Sequence, residues 1–96
     1  MLLKAELENH IRTLLSRYHA DYALLFGSYA RGEATPDSDV DLVVFGGEGF
    51  KKTNIFAFAE DLRALTGKEV DAFEISEVDK DTPFYESLLR EGVRIA

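Results

Sequence analysis

Ser38-Asp39-Val40-Asp41-Leu42-Val43-Val44 sets two acids two residues apart at the start of an apolar run. Along a strand, residues two apart project from the same face. Asp39 and Asp41 then stand side by side, with Cα atoms roughly 6.5–7 Å apart, while Val40, Leu42 and Val44 face a core. Two carboxylates so placed repel each other unless a cation lies between them. Oxygen-only ligands with open water positions suit Mg²⁺ or Mn²⁺. Asp71 is a lone acid in another apolar stretch, Val70-Asp71-Ala72-Phe73. If its strand lies beside the first, it joins the pair. Three carboxylates can hold two metal ions roughly 3.5–4 Å apart and clamp both oxygens of an in-line phosphoryl displacement. Asp71 can also accept the proton of an attacking hydroxyl. Without that neighbour, a D-x-D pair reads more simply as two solvated acids at a strand edge, because the pattern is common by chance. A calcium loop fits poorly. Asp37, Asp39, Asp41 and Glu48 have EF-hand spacing, but Leu42 stands where that loop turns on glycine.

A second chemical feature precedes these acids. Gly27-Ser28 directly follows the apolar run Tyr22-Ala23-Leu24-Leu25-Phe26 and opens a helical turn that Gly32 stops. Glycine lets a ligand approach the backbone closely. Amides at a helix start attract phosphate, and the Ser28 hydroxyl can donate one more hydrogen bond. The same dipeptide also serves as a plain turn with a helix cap. Arg31 can reach phosphate or a partner, or pair with Asp37 or Asp39 and hold the loop. Ser38 orients Asp39 or caps the turn that Thr35-Pro36-Asp37-Ser38 forms.

These residues need a scaffold, and hydrophobic spacing supplies one. Leu3, Leu7, Ile11, Leu14, Leu15 and Tyr18 recur at helical spacing, which predicts an amphipathic helix over about residues 3–19. Strands follow at 22–26 and 40–45, the latter closed by a mobile Gly46-Gly47-Glu48-Gly49 loop. Ile55, Phe56, Phe58, Ala59, Leu62 and Leu65 predict a helix over 54–66, capped by Gly67. Phe56 and Phe58 fall on different faces of it, leaving one for an interface. A third strand covers 70–75, a short helix carries Phe84, Leu88 and Leu89 up to Gly92, and Val93-Arg94-Ile95 adds a small edge strand. The order predicts an α/β (α+β) fold, a small mixed sheet flanked by helices, in one domain over 1–96.

Composition bounds the function. The 96 residues are 46% hydrophobic and 30% charged, with a net charge of −7. That balance argues against direct nucleic-acid binding, which relies on clustered Lys and Arg. It tolerates an anionic ligand if metal ions neutralise the site, and it suits a basic protein partner. The absence of cysteine excludes disulfides, Cys-ligated zinc and thiol chemistry. Charge interrupts the N-terminus too early for a secretory signal, and no apolar run approaches membrane-spanning length, so no membrane role is expected and the cytoplasm is the expected location.

Gly27-Ser28-Tyr29-Ala30-Arg31-Gly32 and Ser38-Asp39-Val40-Asp41-Leu42 together resemble the two-part signature of the polymerase-beta-like nucleotidyltransferases, in the spelling of the minimal nucleotidyltransferase (MNT) group. The resemblance extends to the Val70-Asp71 strand and the Leu88-Leu89-Arg90-Glu91-Gly92 ending. It implies a mixed sheet with flanking helices, Mg²⁺, and a nucleoside triphosphate donor. It makes Asp39 and Asp41 the metal pair, Asp71 the third catalytic carboxylate, and Gly27 and Ser28 the phosphate-binding positions. Single-domain members similar to this chain pair with a HEPN-domain toxin, on which they act as antitoxins that transfer AMP from ATP to a tyrosine. That implies a HEPN toxin as partner, in a homo- or hetero-oligomer, and explains how a chain without tRNA-, drug- or primer-holding domains suffices. The alternative is a binding module that neutralises its partner by contact and keeps only a vestigial nucleotide site.

Overall fold

The computed structural model describes residues 2–95. Helix α1 (Lys4–Arg17) is shorter than its periodicity suggests at both ends. Leu3 precedes it in extended backbone, with its N–H donating to Glu6 Oε1 at 3.1 Å. The stripe Leu7, Ile11, Leu14 and Leu15 is buried, as the spacing predicts. The chain then reverses through His19, whose φ of 59° lies in the left-handed region.

Strand β1 (Tyr22–Phe26) runs straight into the five-residue helix α2 (Gly27–Arg31), and strand β2 (Val40–Phe45) returns beside β1. Helix α3 (Asn54–Thr66) ends on Gly67, whose left-handed φ of 68° provides the expected cap. Strand β3 (Val70–Glu74), helix α4 (Pro83–Glu91) and strand β4 (Val93–Ile95) complete the fold. Helix α4 starts from Thr82, whose hydroxyl accepts the Tyr85 N–H, with Pro83 in the first turn.

The sheet order is β3-β2-β1-β4. Strand β1 is antiparallel to β2 and β4, whereas β2 and β3 are parallel. The sheet is therefore mixed, as expected. One face carries Ala23, Leu25, Val40, Leu42, Val44 and Ile95, which pack with α1 and α3 into the main core. The other face carries Leu24 and Val43, covered by Leu88 of α4. That second cover is short. Phe26, Asp41 and Asp71 are register partners across three strands at the edge of that cover, where Phe84 of α4 reaches Phe26 and the two acids border an open cavity.

Two local expectations change. Strand β3 ends at Glu74, and Ile75–Glu77 forms a turn of 3-10 helix, because the Glu74 carboxylate accepts the Ser76 N–H at 2.9 Å. The loop after β2 is also pinned, not free. Phe50 is buried against Gly46, and the Gly46 N–H donates to Glu74 Oε2 at 3.2 Å. Among the described residues Glu74 is the one buried acid, 4% exposed. Burial pushes its pKa up, but hydrogen bonds from Ser76 and Gly46, together with the nearby charge of Lys52, outweigh burial and hold it below the ordinary value.

Replacing Glu74 with alanine strands those two N–H groups, and unfolding free energy should fall by about 1–3 kcal/mol at pH 7 in a denaturant titration. The folded-state pKa lies below the unfolded one, so this stabilisation is fully present above 4.5 and is lost as pH falls through the folded-state value. The gap between wild type and variant should therefore narrow on acidification below that point.

Candidate active site

Antiparallel pairing brings the end of β1 to the start of β2, and parallel pairing brings the start of β3 there too. Phe26 faces Asp41, and Asp41 faces Asp71. Asp39 lies just before β2 and is exposed, so it is a strand-entry residue and not part of the ladder. The turn that delivers it is built as one of the two sequence readings proposes. Ser38 Oγ accepts the Thr35 N–H at 2.7 Å, and the Ser38 N–H donates to the Thr35 carbonyl at 3.0 Å. Lys68 fastens this turn from the far side, donating from Nζ to the Pro36 carbonyl at 2.5 Å.

Asp41 has a raised pKa. Burial raises its pKa first, and the carboxylates of Asp71 and Asp39 raise it further, while Arg31 pulls weakly the other way. Asp71 is its register partner on β3, and both side chains border the same cavity. The structure thus sets Asp41 and Asp71 side by side on adjacent strands and leaves Asp39 within electrostatic range. Among the described residues, no three His, Cys, Asp or Glu side chains are gathered closely enough to hold a metal ion, so Asp39 stands apart from the Asp41–Asp71 pair. The donors are carboxylate oxygens that repel one another, a chemistry that suits a hard divalent cation.

Gly27 stands against this pair. Its φ is +73°, and a methyl group there would come within 2.5 Å of Asp41 Oδ2. Glycine is required twice over, by backbone conformation and by the close approach. Ser28 follows in α2, its carbonyl accepting the Glu33 N–H at 2.9 Å. Arg31 pairs with Glu33 at 2.8 Å, and not with Asp37 or Asp39 as the sequence suggested. Glu33 is nearer in the chain and follows the left-handed turn at Gly32, which folds it back beside Arg31. Tyr29, by contrast, is a core residue, 2% exposed.

A cavity of about 430 Å³ opens beside the carboxylates. Its walls include Phe26, Phe73, Val78 and Phe84 along with Asp41 and Asp71. Sequence reasoning missed these aromatic walls. The only available signal was strand parity, which puts Phe73 on the face of Asp71.

Polymerase beta, Nucleotidyltransferase is the family description that matches, over residues 9–96. The chain belongs to that nucleotidyltransferase family. It is similar to the protein adenylyltransferase MntA of Thermococcus cleftensis, 39% identical over 75 residues, or 74% of this chain and 76% of that protein. A solved minimal nucleotidyltransferase superposes with a TM-score of 0.76 at 31% identity, covering 96% of this chain and 95% of the other. A chain in the structure of tri-AMPylated Shewanella oneidensis HEPN toxin with MNT antitoxin shares the fold, with a TM-score of 0.74 at 19% identity, over 98% of this chain and 72% of that one.

In this nucleotidyltransferase, burial and the charges of Asp71 and Asp39 disfavour the ionised form of Asp41. Its folded-state pKa lies above the unfolded one, so ionisation opposes folding and the strain relaxes as pH falls into the carboxylate range. Asp41→Asn should raise the melting temperature of metal-free protein at pH 7 by about 1–4 °C, measured in excess chelator. Gly27→Ala should lower unfolding free energy by about 1–3 kcal/mol, from the left-handed backbone and the contact with Asp41.

Proposed function

We propose that this chain is a protein adenylyltransferase that transfers AMP from ATP to a hydroxyl, that of a tyrosine, on a partner HEPN toxin, and so acts as its antitoxin. The observation that carries the proposal is the pairing of Asp41 with Asp71 across β2 and β3, with the Gly27 turn against Asp41 and a cavity bordered by both acids. Family membership and the similarity to MntA support it. The structure of an AMPylated toxin bound to an MNT antitoxin, which shares this fold, supports the choice of acceptor.

In this reading the Gly27 and Ser28 amides and the Ser28 hydroxyl bind the triphosphate. Arg31 leaves Glu33 to meet it, and Ser38 acts through the turn that positions Asp39. Asp39, Asp41 and Asp71 would hold Mg²⁺ or Mn²⁺, which when bound neutralises charge on the phosphate oxygens. Asp71 takes the proton of the acceptor hydroxyl. The hydroxyl oxygen bonds to the α-phosphorus, the bond to the bridging oxygen breaks, and pyrophosphate leaves with that electron pair. Among the described residues no helix is long and apolar enough to cross a membrane, and ATP as donor fits a cytoplasmic reaction.

Incubation with labelled ATP, Mg²⁺ and the protein of the adjacent gene tests this. Label should appear on that partner and fall at least about 100-fold in Asp39→Asn and in Asp41→Asn. A wild type that neutralises its partner with no label transferred would overturn the enzyme reading in favour of a contact inhibitor.

A further inference from the structure

We propose that the aromatic cavity beside Asp71 is the acceptor slot, shaped for a tyrosine ring carried in a Lys- or Arg-rich segment. This rests on the AMP-transfer reading and names which part of the acceptor the chain recognises.

Position is the first argument. The cavity is bordered by Asp41 and Asp71, whereas Gly27, Ser28 and Asp39 do not line it. It therefore extends from the carboxylate pair away from the turn assigned to the triphosphate. A group seated there lies beside Asp71, the proposed proton acceptor.

The walls provide the second argument. Phe84 meets Phe26 edge to face, with centroids 5.4 Å apart and planes at 73°. Phe73 and Phe84 remain 42% and 41% exposed. Large apolar rings held open beside charged groups are costly to leave in water and favour another ring. A phenol satisfies both ends of this slot, its ring against phenylalanine and its hydroxyl toward Asp71. Serine or threonine is too short to use the walls.

Charge supplies the third argument. Glu77 and Asp79 line the same cavity. Each is fixed by a local hydrogen bond, Glu77 Oε1 from the Glu74 N–H at 3.4 Å and Asp79 Oδ1 from the Asp81 N–H at 2.9 Å. Among the described residues neither pairs with Lys or Arg. Their charge adds to a chain of net charge −7. Such a rim attracts a basic segment and repels an acidic one.

Synthetic peptides provide the probe: a tyrosine flanked by Lys and Arg, the same tyrosine flanked by Asp and Glu, and the basic peptide with serine in its place. With ATP and Mg²⁺, the wild type should label the basic tyrosine peptide in preference to both others. Phe84→Ala and Phe73→Ala should each raise the peptide KM roughly tenfold, with ATP affinity by calorimetry unchanged. Glu77→Gln/Asp79→Asn keeps the local hydrogen bonds, and should raise KM for the basic peptide about five- to tenfold and erase the preference over the acidic one. Two phenylalanine variants guard against one failing to fold, which circular dichroism checks. If ATP affinity falls with the phenylalanines, the slot holds adenine and the proposal is wrong. Equal labelling of basic and acidic peptides also overturns it. So does a wild type that labels the partner protein but no peptide, a result that leaves AMP transfer itself standing. Failure to label the partner protein defeats the underlying reading instead.

Discussion

The parallel ladder between β2 and β3 forces two carboxylates together. Register pairs Asp41 with Asp71, and the pairing cannot slip by one without turning both strands' apolar sets away from the core. Val40, Leu42 and Val44 on one strand and Val70 on the other fix that register by burial. The hydrophobic core thereby compels an arrangement that electrostatics alone opposes. The repulsion appears directly in Asp41, whose pKa burial and its two acidic neighbours raise. A fold that holds like charges side by side is poised to bind a cation, because the binding energy includes relief of that repulsion.

Topology then decides what else gathers there. Since β1 is antiparallel to β2, its C-terminal end meets the N-terminal end of β2. The chain must turn at that point, and it does so through Gly27, close enough to Asp41 that no side chain fits between them. Since β3 is parallel to β2, Asp71 arrives at the same end. Three separate connections thus deliver their ends to one rim of the sheet. The opposite ends of the strands serve stability: Tyr22 stacks on Phe45 at 4.3 Å with Arg94 over its ring, and Glu74 ties the loop after β2 to the end of β3.

Much of this was legible in the residues because burial and period are written locally. The stripe from Leu7 to Leu15 announces α1, and Gly67 announces the end of α3. Phe56 and Phe58 divide as helical geometry requires, one 75% exposed and the other fully buried. Asp39 and Asp41 advertise themselves as acids at the head of an apolar run. What could not be read is set by partners distant in sequence. Arg31 had several acids within reach, and the left-handed turn at Gly32 selected Glu33. Strand β3 stops one residue early because Glu74 captures the Ser76 N–H. The cavity walls were least legible of all. Phe26, Phe73 and Phe84 come from three elements, and alternation gives the parity of a strand face without saying whether a helix covers it.

That cover is where the two faces of the sheet differ. The main core is sealed by two long helices, α1 and α3, and leaves its side chains no access to water. The other face has a smaller cover, nine-residue α4 with Ile75 and Val78, and its buried cluster is Leu24, Val43 and Leu88, with Phe26 only partly buried at its edge. A longer helix laid over Asp41 and Asp71 would bury two carboxyl groups without partners, and burying an unpaired charge costs several kcal/mol. Stability thus favours an uncovered rim, and chemistry requires one. The same short helix satisfies both, since its first turn supplies Thr82 and Phe84 to the cavity wall while its last turn seals the core.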